Sequence, residues 1–160
     1  EEEEEEDPSC GTTRQATSRS PAHDHVSLSR KILYAHHIIA DSKRRALREL
    51  AVDLGVGAAV KIGWPGVIVL EGETRRVEEF VSCAQRWRWK QLVVRGEMRV
   101  ELASSGTISG DATSSLVDAA RALPKAFVEF GPTEMSALAQ LCRDAGLEEL
   151  FLRVFKKGGQ

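Results

Sequence analysis

The stretch from Arg30 to Ile39, RKILYAHHII, constrains the fold more than any other, because it is apolar on both alternations of an extended chain. Strand geometry sends Ile32, Tyr34, His36 and Ile38 to one face and Leu33, Ala35, His37 and Ile39 to the other. Such a strand belongs in the interior of a sheet. The two adjacent histidines then point to opposite sides, which argues against a shared metal ion or a joint catalytic role.

The next segment, DSKRRALRELAVDLG, reads as a helix that Asp41 opens by accepting from the free amides of its first turn and Gly55 closes. Ala46, Leu47, Leu50, Ala51 and Leu54 form its apolar stripe. Lys43, Arg44 and Arg45 crowd the first turn, where the helix dipole favours negative charge. A bound phosphate would offset that cost; so would solvent together with Asp41. VGAAVKIGWPGVIVLEGE follows as two short strands about a Gly63, Pro65 and Gly66 bend, with Val67 to Leu70 interior to the sheet. Trp64 at the tip can stack a base, anchor a partner or fold back over the core.

Glu73 to Trp87 has the clearest helical spacing in the chain, carried by Val77, Phe80, Val81, Ala84 and Trp87, with Cys83 as a packed small residue. WRWKQLVVRGEMRVEL then turns into a strand from about Lys90 to Val100. Tryptophan interleaved with basic residues suggests nucleic-acid contact, but Trp87 falls on the apolar stripe and Trp89 can cap the core, leaving Arg88 and Lys90 for a partner. The order strand, helix, strand, strand, helix, strand predicts an α+β fold of the ferredoxin-like β-α-β-β-α-β kind: an antiparallel sheet with two helices on one face and the other face open for binding.

Residues 103–115 are small and polar and read as a flexible insertion. Ser114 or Ser115 can cap a short helix over Leu116 to Leu123, and Ala126 to Phe130 is a short extended segment. GPTEMSALAQLCRDAG gives a helix with Thr133 as a candidate cap, and LEELFLRVFKK gives a final helix in preference to a terminal strand. Residues 30–157 therefore form one domain with a C-terminal helical extension. Residues 1–29 open on six glutamates and contain almost no large apolar groups, so they read as a disordered acidic arm or linker in which His23 and His25 are too few to hold a metal.

Charge divides along the chain. Residues 1–29 carry eight acids and two bases, whereas residues 30–101 carry fourteen bases and nine acids, a net of +5. A basic body is compatible with polyanions, although it does not require them. Cys10, Cys83 and Cys142 are odd in number and lack a CxxC spacing, which disfavours a disulfide framework and a zinc site. No apolar run approaches the length of about 18 residues a membrane helix needs, and no signal peptide is evident. An intracellular protein, cytoplasmic or nuclear, fits these features; the absence of a starting methionine suggests a fragment or trimmed product.

The chain contains no GxSxG, HExxH, GxxxxGK[ST] or CxxC, and no cofactor or metal is expected. Phosphatases of this topology use an arginine with an asparagine, and the chain contains no asparagine. A non-enzymatic protein is the expectation, with a cryptic site the remaining alternative.

Four segments, KILYAHHI, GWPGVIVLEG, WRWKQLVVRGE and GPTEMSALAQLCRDAGLEELF, occur in an order that resembles the C-terminal domain of RWD domain-containing proteins. A related domain ends pre-mRNA-processing factor three, a splicing factor. The resemblance spans about residues 30–156 and implies a ferredoxin-like fold with added helices. Through the splicing factor it also implies binding of small nuclear RNA; a protein-interaction domain of an RWD-type protein is the alternative. The acidic arm would then be a linker from an upstream RWD domain. The RNA surface expected on this reading combines Lys43, Arg44, Arg45, Arg88, Lys90 and Arg95 with His36 or His37, and with Tyr34 or Trp64 for stacking.

Overall fold

Strand β1, Val26–Ala35, is the centre of the computed structural model, which describes residues 25–103 and 110–155. It begins four residues before Arg30 and ends before the histidines. Ser27 and Ser29 give the early part the composition of a linker, but both are buried and their hydroxyls meet the Thr74 hydroxyl at 2.6 and 2.8 Å. Buried hydroxyls are tolerated when they are hydrogen-bonded, so polar letters concealed an interior strand. The expectations that fall on residues 1–24, including those for Cys10 and His23, lie outside the described residues.

After β1 come α1 (Asp41–Leu54), β2 (Gly57–Lys61), β3 (Gly66–Glu73), α2 (Thr74–Gln85) and β4 (Leu92–Ala103). Then follow α3 (Gly110–Ala120), β5 (Phe127–Phe130), α4 (Met135–Asp144) and α5 (Glu148–Phe155). The sheet order is β4-β1-β3-β2-β5, antiparallel through the first four strands, with β5 added parallel to β2. The molecule is thus α+β, a five-stranded mixed sheet with five helices among the described residues. None of those helices is long and apolar enough to cross a membrane.

One face of the sheet receives α1 and α2. Leu33, Ala35, Val60, Ile68 and Leu70 pack there against Leu47, Ala51, Val77, Phe80 and Ala84, with Trp87 and Trp89 half-buried at the margin. Gly55 closes α1 at φ +67°, a left-handed conformation that glycine adopts without a Cβ clash. Asp41 does not cap this helix: Ala40 occupies the cap position without a side-chain bond, and Asp41 accepts from Arg44 instead at 3.1 Å.

The opposite face is not open. Ile32, Ala59, Val67 and Val69 are covered by Leu138 and Cys142 of α4, by Leu150, Phe151 and Val154 of α5, and by Leu147 between the two helices. The reason lies in the strands, which are apolar on both sides; leaving one side in water would forfeit about 1.5–3 kcal/mol per large side chain. Burial also pushes the Cys142 thiol up to about 11. Cys83 is buried on α2 as a packed small residue. Helix α3 begins at Gly110 and covers Val26 and Leu28 through Val117, so residues 110–115 belong to a helix rather than a flexible insertion. Ser114 and Ser115 lie inside it, not at its cap.

Candidate functional site

The ends of β1 and β2 and the starts of β3 and β4 meet at one edge of the domain, because Ala35 pairs with both Gly66 and Leu92. Beyond Ala35 the backbone bends at His36, and Ile38 exchanges both backbone hydrogen bonds with Gly63, at 3.0 and 2.8 Å. Gly66 permits this crossing: a Cβ there would sit 2.3 Å from Ile38 Cγ1. Strand alternation therefore stops before the histidines, and they do not point to opposite sides. His36 stands edge-on to the Trp64 ring with centroids 4.7 Å apart, His37 lies tilted against it at 4.6 Å, and the two imidazoles are 5.2 Å apart.

Trp64 forms a cis peptide bond with Pro65, and it remains 60% exposed. The turn carrying it is held from beneath by Lys61, whose buried ammonium donates to the carbonyls of Pro65 at 2.8 Å and Trp64 at 3.3 Å. Desolvation lowers the Lys61 pKa. The strand before the turn thus ends in a lysine that the sequence offered no reason to single out, since its role depends on carbonyls three and four residues ahead.

The first turn of α1 borders the same end. Lys43 donates to the Arg88 carbonyl and lies 4.8 Å over the Trp89 ring, joining α1 to the loop before β4. His36 N–H donates to the Gln91 carbonyl of that loop at 3.2 Å. Arg45 of that first turn and Arg88 and Lys90 of that loop are exposed. Arg44 is committed elsewhere: its guanidinium grips Glu129 of β5 through two bonds of 2.9 and 3.0 Å. The hydrogen bond from Arg44 holds the Glu129 carboxyl below its usual range and raises the arginine in turn. A protein carboxylate, with Asp41, thus takes the place expected for a phosphate.

Tyr34 and Arg95 leave the set. The Arg95 guanidinium lies 4.1 Å over the Tyr34 ring and donates to the Val154 carbonyl at 3.1 Å, while Phe155 meets the same ring edge-on at 6.4 Å. Both side chains are engaged with α5 on the face expected to be open. The structure thus clusters His36, His37 and Trp64, leaves Arg45, Arg88 and Lys90 exposed on the adjoining helix start and loop, and engages Tyr34, Lys43, Arg44 and Arg95 in contacts within the fold.

A cleft of about 400 Å³ lies at the opposite end of the sheet, among His25, Ser27, Thr74, Glu78, Arg99 and Glu101. Its charges largely answer one another, Arg99 meeting Glu78 at 3.8 Å and His25 meeting Glu101 at 4.0 Å. No motif pointed to it, since its lining comes from separate segments of the chain.

No family model matches the chain. Among solved structures it is similar to a bacterial light-regulated adenylyl cyclase, with 11% identity and a TM-score of 0.44 over 82% of this chain and 36% of that one. It is also similar to an acylphosphatase from Coxiella burnetii, with 14% identity and a TM-score of 0.31 over 52% of this chain and 86% of that one. The chain spans about a third of the cyclase's length, and likenesses this distant leave its activity to be argued from its own residues.

Proposed function

We propose that the chain is a non-catalytic binding module with a ferredoxin-like core, and that its Trp64 end takes single-stranded RNA. This keeps the reading as a domain of the RWD-protein type, related to that of the splicing factor, but moves the contact from the sheet face to the sheet end. One arrangement supports it: an exposed indole flanked by two imidazoles at 4.6 and 4.7 Å, on the end whose helix start and loop also carry the exposed Arg45, Arg88 and Lys90. Single-stranded RNA is held by such combinations, because every base has a face to stack and every linkage carries a phosphate.

Filter-binding with single-stranded RNA pools across a salt series tests this reading. Binding should weaken with salt at a log-log slope of about 0.7 per neutralised phosphate. Trp64→Ala should reduce affinity about tenfold, the loss of one stacked base. No binding at low salt, or binding indifferent to salt, refutes the reading.

A protein partner is the second reading, favoured by Ile39, 49% exposed beside the Ile38 and Gly63 pairing and thus near Trp64. Two large apolar side chains at one end suit an apolar anchor in a partner's pocket. A partner lost on Trp64→Ala while RNA retention is unchanged selects this second reading.

A further inference from the structure

We propose that two copies of the chain associate edge to edge through β4, continuing the sheet across a two-fold axis that passes through Met98. β4 is the outermost strand: β1 bonds one side, and among the described residues no strand bonds the other. An open edge is a template for another strand, and natural edges are usually blunted by bulges or by charges that repel a second copy. Here the register with β1 shifts on either side of a regular stretch that runs from Gly96 opposite Ile32 to Glu101 opposite Ser27. That stretch is the part of the edge straight enough to pair.

Its charges favour a second copy rather than repel one. Glu97, Arg99 and Glu101 stand opposite Lys31, Ser29 and Ser27, on the side of the sheet where Arg99 meets Glu78 of α2 at 3.8 Å. Glu97 already accepts from Lys31 at 2.8 Å. A two-fold axis at Met98 sets Glu97 of each copy opposite Arg99 of the other. The surface row then reads Glu78, Arg99, Glu97 of the second copy and Lys31 of the second copy, alternating in sign across the junction. Opposite charges directly across an antiparallel pair stabilise it and like charges destabilise it.

Other registers are poorer. Side chains alternate with period two, so only an axis through a residue keeps both faces matched. An axis at Glu97 sets Glu97 against itself, and one at Arg99 sets Arg99 against itself and Glu97 against Glu101. An axis at Val100 pairs Arg99 with Glu101 but carries Met98 to Leu102, beyond the regular stretch. On the opposite face Met98, 39% exposed, would meet its own copy, flanked by buried Gly96 and half-buried Val100. Methionine adapts well to such a self-contact.

Sedimentation equilibrium of the full chain from about 1 μM to about 1 mM should show the mass rising from 17.6 kDa toward twice that value. Glu97→Arg and Arg99→Glu should each weaken association about tenfold, since each turns two symmetric attractions into repulsions. The double variant should recover part of the association, because the exchanged pair again sets opposite charges across the axis while Glu78 and Lys31 now face like charges within each copy. Glu97→Arg also separates the Met98 axis from the Val100 axis, which does not use Glu97. A chain that stays monomeric across the range, single variants that associate like the parent, or a double variant that fails to recover overturns the proposal. Both side chains are more than half exposed, so the variants retain the fold, and a thermal melt of each verifies this.

Discussion

Arginine does two different things in this domain. At Glu71 it is structural. That carboxylate, 0% exposed, accepts from Arg30 Nε at 2.8 Å and from the backbone N–H groups of Ala122 and Leu123 at 2.8 and 3.0 Å. Arg121 closes the knot by donating to the Glu71 carbonyl at 3.0 Å. At the Trp64 end, in contrast, Arg45 and Lys90 are exposed, as is the Trp64 ring. A buried charge must find fixed partners inside the fold or be expelled; an exposed one is solvated and can exchange water for a ligand. Cation count alone does not distinguish the two, and burial with partner geometry does.

The contrast can be broken first at Glu71. Glu71→Ala takes the carboxylate partner from the buried Arg30 guanidinium and should cost about 3–5 kcal/mol in urea unfolding, with RNA retention per folded molecule unchanged. A cost below about 1 kcal/mol would mean that water enters and that the knot is not what ties the segment after α3 to β3.

Arg44 with Glu129 falls between the two regions, since it borders the Trp64 end yet is only a quarter to a third exposed. Glu129→Gln should cost about 1 kcal/mol, discounted for solvent screening. The pH dependence sharpens this. The Glu129 carboxyl titrates lower folded than unfolded, so its contribution is present above the unfolded pKa and disappears as pH falls through the folded one. Stability of the parent should decline more steeply than that of Glu129→Gln as the solution is acidified; parallel acid limbs would remove Arg44 from the structural group and return it to the candidate surface.

The smallest effect on stability is expected at Trp64. Trp64→Ala should stay within about 0.5 kcal/mol of the parent in thermal unfolding even as it loses RNA. A stability loss above about 2 kcal/mol would make the indole a packing residue and collapse the distinction between the two regions.

Local periodicity made much of the fold readable. Val77, Phe80, Val81 and Ala84 repeat at helical spacing and do lie buried on α2, and Val67 to Leu70 is the interior of β3. The final segment is a helix because Leu150, Phe151 and Val154 fall on one stripe. The start of β1 was hidden by Ser27 and Ser29, whose partner Thr74 is more than forty residues away. The candidate site was legible as a set of residue types. Its membership was not, because Arg44 finds Glu129 85 residues on and Arg95 finds Val154 59 residues on.

By itself the sequence determined the succession of strands and helices and the apolar faces that oblige them to pack, since both follow from side chains a few residues apart. Tertiary structure decided what those faces pack against. It closed the sheet face with α4 and α5, turned both histidines onto Trp64 by ending β1 at Ala35, and left β4 as an edge. These outcomes depend on contacts between segments distant in the chain, which local periodicity does not encode.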